Sequence, residues 1–104
     1  MAISIKSAGK RLTTTANDVV YTAPGDVISS TVAAGTLENI LQIDAKVTIK
    51  ISGRALFVIN AKNIPFDQSP LKLPVITLAP GESLMAWSDT ASALDLALTI
   101  GEQR

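Results

Sequence analysis

The sequence predicts an all-β fold: one antiparallel β-sandwich, jelly-roll-like, with about seven to nine short strands in a single domain over residues 1–104. Three observations support this prediction. Apolar residues recur at every second position in several segments, which is the period of a half-buried strand. Pro-Gly and similar turn signals separate these segments at intervals of roughly 8–12 residues. Hydrophobic residues make up 47% of the chain but aromatic residues only 4%, so most of the apolar residues are aliphatic.

The first predicted strands lie near the beginning of the chain. Ile3 and Ile5 alternate with polar residues, which indicates a short strand, although residues 1–11 could equally extend as an N-terminal arm. Residues 18–23 contain the β-branched and aromatic residues that strands favour, and Pro24 with the glycine after it ends this segment.

The next predicted strand covers residues 26–34 and is closed by Gly35. Residues 36–43 are ambiguous, because the spacing of their apolar residues also fits one helical turn. Leu41 and Ile43 fit a strand equally well, and we favour extended structure here because the neighbouring segments are all strands.

Residues 46–52 show the clearest alternation in the first half of the chain. Val47, Ile49 and Ile51 share one face, and lysine, threonine and serine occupy the other. The following strand, 54–61, is apolar on both faces, which predicts a central strand or one whose outer face is covered by a partner chain.

The second half begins with a loop or edge strand at residues 60–74, because three of the five prolines fall there and proline cannot donate to a sheet. Residues 74–79 and 82–88 are then predicted strands on either side of a Pro-Gly turn. Residues 93–100 form the last predicted strand. A helix would scatter its four large aliphatic residues around the circumference, whereas a strand gathers them on one face.

Composition excludes several classes of function. The chain has no His and no Cys, which removes the usual catalytic triads, thiol nucleophiles and nitrogen- or sulfur-ligated zinc sites. Nine basic residues balance nine acidic ones, which argues against a general nucleic-acid binder. We therefore expect no enzymatic activity, no cofactor, no metal and no nucleic-acid partner. With no membrane span and no targeting signal in the sequence, we expect synthesis in the cytoplasm of the producing cell and no membrane partner.

The aspartates mostly fall in or beside predicted turns, where they usually bond to nearby backbone. Asp89 and Asp95 flank one turn, and Asp95 on the outer face of the last strand is expected to be solvated or paired with a Lys or Arg of a neighbouring subunit. Trp87 and Tyr21 allow two interpretations. We favour a core or interface role, because such side chains bury large areas, but an exposed coplanar pair could instead stack on a sugar ring.

Two segments resemble a known group of proteins. The first is LTTTANDVVYTAPG at residues 12–25, and the second contains LAPGESL at 78–84, TASA at 90–93 and LDLALTI at 94–100. These segments resemble the small β-sandwich structural proteins in the virions of tailed bacteriophages. The resemblance implies a head-decoration, neck or collar, or tail-associated component that works without catalytic residues. It also implies a location in the virion and, as partners, the major capsid protein or proteins of the neck and portal region.

The number of aliphatic residues suggests that some of them are covered by another chain, so we expect a homo-oligomer, either a trimer or a larger cyclic assembly. The basic pair near the N-terminus could anchor the chain to a neighbour, although solvated or edge-protecting lysines explain such residues equally well. The residues expected at interfaces are Lys10, Arg11, Phe57, Phe66, Leu71, Met85 and Trp87. The alternative function is a carbohydrate-binding β-sandwich module that recognises glycans on a host surface.

Overall fold

The computed structural model describes residues 3–14, 18–41, 43–52, 56–65 and 70–104. This part of the chain contains nine β-strands and no helix. In chain order the strands are β1 (Ile3–Arg11), β2 (Val19–Thr22), β3 (Ser29–Asn39), β4 (Ala45–Ile51), β5 (Leu56–Ile64), β6 (Leu71–Lys72), β7 (Ile76–Leu78), β8 (Ser83–Ser88) and β9 (Leu94–Gln103).

The strands form two antiparallel sheets that pack face to face. The first sheet has the order β1-β9-β3-β6, with β7 also paired to β3, and the second has the order β2-β8-β4-β5. β6 and β7 pair with successive parts of β3, so they act as two pieces of one interrupted strand. Counted in this way, the two four-stranded sheets have the strand order of a jelly roll. The predicted all-β jelly-roll-like sandwich is therefore confirmed.

The core lies between the sheets and consists of the residues that the period-two pattern selects. Val47, Ile49 and Ile51 of β4 are buried, and so is every second residue of β9 from Leu94 to Ile100. Full burial of one such side chain is worth about 1.5–3 kcal/mol. β9 holds the central position in the first sheet, because it pairs with β1 on one side and with β3 on the other.

Two sequence-based boundaries in β3 are corrected by the structure. The predicted strand 26–34 does not end at Gly35: β3 continues through this glycine to Asn39. The strand can continue through this position because glycine has no side chain: a Cβ at Gly35 would lie 2.9 Å from Leu73 Cδ1 and 3.0 Å from Leu98 Cδ2. The ambiguous segment 36–43 is extended over its first four residues and then forms the loop between β3 and β4.

The strand for which the sequence allowed either a central position or cover by a partner chain is at an edge. β5 is the last strand of the second sheet and pairs only with β4 among the described strands. Its pairing is irregular, with register shifts between Val47 and Ile49 and between Ile49 and Lys50, and Ala61 has a positive φ of 50°. The apolar character of both its faces therefore does not come from a central position, and the other explanation, cover by a partner chain, stays a prediction.

The interruption between β6 and β7 leaves a gap in the edge of the first sheet. Pro74 lies in this gap and has no N–H to donate, while the preceding Leu73 N–H donates to the Gly35 carbonyl at 2.8 Å. On the opposite side, β3 has a register shift between Val32 and Ala34. The two irregularities together open a cavity of about 260 Å³, which we call the notch; it is lined by Ala33, Ala34, Gly35, Thr36, Lys72 and Leu73.

Candidate docking surface

Aromatic and apolar side chains gather on the outer face of the second sheet. The strand register places Val19 of β2, Met85 of β8, Lys50 of β4 and Phe57 of β5 in one row across the sheet. Trp87 lies in the next row of the same face, opposite Thr48. We call these five side chains the aromatic face; they are Val19, Lys50, Phe57, Met85 and Trp87.

Burial within the aromatic face is uneven. Val19 and Phe57 are the most open, with 47% and 45% of their surface exposed, whereas Met85 between them is buried. The Lys50 ammonium lies 5.5 Å from the centroid of the Phe57 ring, within the range of a cation–π interaction. The face therefore has a filled apolar centre, two exposed hydrophobic flanks and one positive charge.

This face is chemically suited to contact with another protein. Aromatic residues and Met are enriched in protein interfaces, and the lysine offers a charged contact at the same site. The backbone beneath it is secured by a hydrogen bond from the Ala61 N–H to Thr48 Oγ1 at 3.2 Å. Three of the residues expected at an interface, Phe57, Met85 and Trp87, thus lie on one face.

Lys10 and Arg11 lie elsewhere, in β1, and both are already engaged. Residues Ile3–Arg11, for which the sequence left an extended arm open, pair with β9 along the whole of β1. Lys10 Nζ lies 2.9 Å from Asp18 Oδ1, and Arg11 donates to both carboxylate oxygens of Asp95 at 2.8 and 3.2 Å. The hydrogen bond from Lys10 lowers the pKa of Asp18, and that from Arg11 lowers the pKa of Asp95. The expectation of solvation or of an intersubunit pair for Asp95 is thus corrected, because its cation partner, Arg11, lies in the same chain.

The two remaining interface candidates are not part of the aromatic face. Leu71 belongs to β6 of the first sheet, pairs with Leu37 and packs, half-buried, against the core. Phe66 lies outside the described residues.

Tyr21 and Trp87 point to different sides of the second sheet. Trp87 belongs to the aromatic face, whereas the Tyr21 hydroxyl reaches the first sheet, where it lies 3.0 Å from Ser30 Oγ and donates to the Glu102 carboxylate. A coplanar exposed pair, which stacking on a sugar would require, is therefore not formed by these two residues.

Glu102 is the centre of a buried polar cluster that the sequence analysis missed. Its side chain continues the inward row of β9 beyond Ile100 and is fully buried. Lys6 Nζ lies 3.1 Å and Arg104 Nη1 3.3 Å from Glu102 Oε1, and Arg104 also donates to Asp26 at 3.2 Å. Continuing the alternation of β9 by one more step would have placed this carboxylate in the interior.

The pKa values of the cluster follow from these contacts. The hydrogen bond from Tyr21, with additional help from Lys6 and Arg104, holds the pKa of Glu102 below its ordinary value, although burial acts in the opposite direction. Burial, together with the bond to Glu102, raises the pKa of Tyr21. Glu102 is therefore an anion that its neighbours stabilise.

Other carboxylates have structural contacts as well. Asp89 Oδ1 accepts the Lys46 N–H at 2.7 Å, which fastens the turn after β8 to the start of β4. The described residues contain no group of three or more carboxylates that could hold a metal ion. No helix suited to crossing a membrane occurs in the part of the chain described.

The fold is similar to that of a chain in the acidic stable capsid structure of Helicobacter pylori bacteriophage KHP30. The TM-score is 0.58 at 12% sequence identity, and the match covers 98% of this chain and 87% of the other. At this identity the likeness establishes a common fold. No family model matches the sequence, and no curated protein matches it.

Proposed function

We propose that this protein is a non-enzymatic structural component of a bacteriophage virion. The observation that carries the proposal is the likeness of its jelly roll, over 98% of the chain, to a chain in a bacteriophage capsid structure. The sequence segments that resemble virion proteins of tailed bacteriophages point to the same class independently of the fold. We assign the protein to the capsid surface or to the neck and collar, where it decorates or stabilises its neighbours.

The aromatic face is the docking surface in this proposal. Exposed Phe57 and Val19 flank buried Met85, so a partner that covers the face removes apolar area from water without reordering the sheet. Lys10 and Arg11 contribute less to docking, because they already form ion pairs with Asp18 and Asp95. Self-association of the protein would present several such faces at once and raise its affinity for a particle that carries repeated sites.

A particle-binding experiment tests this assignment. Capsids and isolated neck assemblies, both prepared without the protein, are mixed with the purified protein and sedimented. We expect the wild type to sediment with one of the two. Replacing both exposed flanks, Val19→Glu with Phe57→Glu, should weaken binding by about tenfold or more, because charges would then be buried in the contact.

The matched control is Ile5→Glu, which alters an exposed isoleucine on the outer face of the other sheet. It should bind like the wild type, and circular dichroism should show that all variants are folded. A wild type that binds neither capsids nor neck assemblies would overturn the proposed function. Equal loss of binding in the control and in the double variant would overturn the assignment of the aromatic face.

A carbohydrate-binding function is not favoured. It requires Trp87 and Tyr21 on one exposed surface, and the Tyr21 hydroxyl is instead bonded to Ser30 and Glu102 between the sheets.

A further inference from the structure

The loop between β3 and β4 exposes three large aliphatic side chains. Ile40, Leu41 and Ile43 are 37%, 45% and 48% exposed. The side chain of Asn39 supports this loop from inside: its Nδ2 donates to the Ile43 and Ile64 carbonyls, and its Oδ1 accepts the Leu41 N–H at 3.1 Å. These hydrogen bonds tie Leu41 and Ile43 to Asn39, which reduces the entropy cost of burying the two side chains against a partner.

The notch in the first sheet is a site of suitable size and chemistry for such a side chain. Its volume is about 260 Å³, and alanine, glycine, threonine and leucine form most of its lining. For comparison, an apolar cavity of about 150 Å³ is enough to accept a benzene molecule. The notch can therefore hold at least one aliphatic side chain.

The loop of a chain cannot fill the notch of that same chain. Asn39 and Thr36, the nearest notch residue on β3, are three residues apart, which corresponds to roughly 10 Å along a strand and exceeds the reach of an isoleucine side chain. Paired β-structure fixes this separation, because β9 runs beside β3 over the whole interval. Any contact between loop and notch must therefore join two molecules.

Charge complementarity favours such a contact. Asp44 directly follows the loop, and Lys72 borders the notch; both are exposed. Neither has an ion-pair partner among the residues that the structure describes, whereas Lys6, Lys10, Arg11 and Arg104 are all paired. The carboxylate of Asp44, beside the exposed aliphatic side chains of the loop, is thus complementary in charge to the ammonium group of Lys72 beside the apolar notch.

We propose that the β3–β4 loop of one molecule docks into the notch of a second molecule of this protein, with Ile43 in the cavity and Asp44 paired to Lys72. This rests on the self-association included in the proposed function and identifies the surfaces that carry it. Each molecule offers both a loop and a notch, so two copies can dock reciprocally as a closed dimer, or the contact can be heterologous and repeat from one copy to the next. A ring forms where the rotation between successive copies brings the last copy back into contact with the first. This contact does not use the aromatic face, which stays available for binding to other virion proteins.

Charge reversal with rescue tests the contact. Sedimentation equilibrium of the full chain is measured for the wild type, Asp44→Lys, Lys72→Asp and the double variant. We expect each single reversal to raise the dissociation constant by about tenfold, because like charges then meet at the contact. The double variant should recover most of the wild-type association, since the pair is restored with exchanged signs.

The apolar part is tested by Ile43→Asp, which should also weaken association by about tenfold or more. Its matched control is Ile28→Asp, at an exposed isoleucine outside the loop, and Lys62→Asp on β5 controls for Lys72→Asp. Both controls should associate like the wild type. Thermal unfolding followed by circular dichroism verifies that each variant folds.

Three outcomes would overturn this inference. An oligomer that resists both single reversals excludes the loop and the notch as its contact, and failure of the double variant to recover excludes the Asp44–Lys72 pair. A wild type that is monomeric at the highest concentrations removes the self-contact altogether. None of these decides the proposed virion function, because sedimentation of the protein with capsids or neck assemblies is measured separately.

Discussion

At the scale of single residues, close packing at Gly35 strongly restricts which side chains this position can accept. It lies inside β3, and its missing side chain is replaced by Leu73 from the β6–β7 break and by Leu98 from β9. Glycine in a strand normally weakens it, because it offers no side chain and loses more backbone freedom on folding. Here that cost is offset because two leucines pack where a Cβ would stand.

Gly35→Ala is therefore expected to lower the free energy of unfolding by about 1–2 kcal/mol, after the smaller gain from a less flexible unfolded chain is included. The added Cβ would lie within 3.0 Å of both leucine side chains, and Leu98 is buried and cannot easily withdraw. Urea unfolding measures the change. Gly25→Ala is the control, since nothing lies within 4 Å of its Cβ and its φ is not left-handed. A Gly35→Ala protein as stable as the wild type would contradict this account.

The sequence predicts individual core residues well where alternation is strict. The inward residues of β4 and of β9 up to Ile100 follow from their spacing alone. Glu102 does not, because a carboxylate is ordinarily taken as solvated, and its interior position depends on Tyr21 and Lys6, which come from distant parts of the chain. Local patterns assign a residue to a face, but they do not contain the partners that make a buried charge tolerable.

At the scale of elements, the same limitation explains why the sequence left two explanations open for β5. A strand with apolar residues on both faces is expected in the middle of a sheet, or at an edge that another chain covers, and the pattern does not separate these cases. The prolines gave a sounder indication, because they predict a loop or edge strand over residues 60–74. Among the described residues of this segment beyond the end of β5, the one strand is the two-residue β6, which lies at an edge of the first sheet. Proline acts through its missing N–H, which is a local property, so its effect can be predicted without the rest of the fold.

Strand position also sets how quickly backbone amides exchange. We expect the amides of β9 to be the slowest, because this strand is hydrogen-bonded on both sides and half of its side chains are buried. The amides of β5 and β6, at the sheet edges, should exchange faster. Hydrogen–deuterium exchange read by NMR or mass spectrometry measures these rates. Protection of β9 no greater than that of β5 would contradict the observed strand order.

At the scale of the whole molecule, ion pairs join segments that are far apart in the sequence. Lys6 meets Glu102, Arg11 meets Asp95, and Arg104 meets Asp26, so the two ends of the described chain are held by opposite charges. The carboxylates of these pairs all have lowered pKa values, with hydrogen bonds from Tyr21 or from the arginines as the largest cause.

Stability is therefore expected to fall in acid. A carboxylate whose pKa is lowered in the folded state binds a proton more readily when the chain is unfolded. Its contribution to the free energy of unfolding is therefore fully present above its ordinary pKa, and it is lost as the pH falls through the pKa of the folded state. For Glu102 the loss begins below its ordinary value of 4.5, and for Asp95 and Asp26 below 3.8. Thermal unfolding between about pH 7 and about pH 2 measures the decline.

Glu102→Gln removes the titrating group and should make this decline shallower, while lowering the melting temperature at neutral pH because Lys6 loses its carboxylate. The control is Glu38→Gln, which makes the same substitution at an exposed glutamate without an ion-pair partner among the described residues and should keep the wild-type melting temperature at neutral pH. A Glu102→Gln profile as steep as that of the wild type would show that Glu102 does not contribute to acid sensitivity.

The central place of β9 has a consequence for biosynthesis. β1 is made first, but its partner in the sheet is the last strand, and Arg11 and Asp95 are 84 residues apart. At roughly 5–20 residues per second, a ribosome needs about 4–17 s to add the intervening chain. Throughout that interval the first sheet lacks the strand that joins β1 to β3. The sandwich is thus completed only after β9 has been made, and the nascent chain must keep its aliphatic residues from aggregating until β9 emerges.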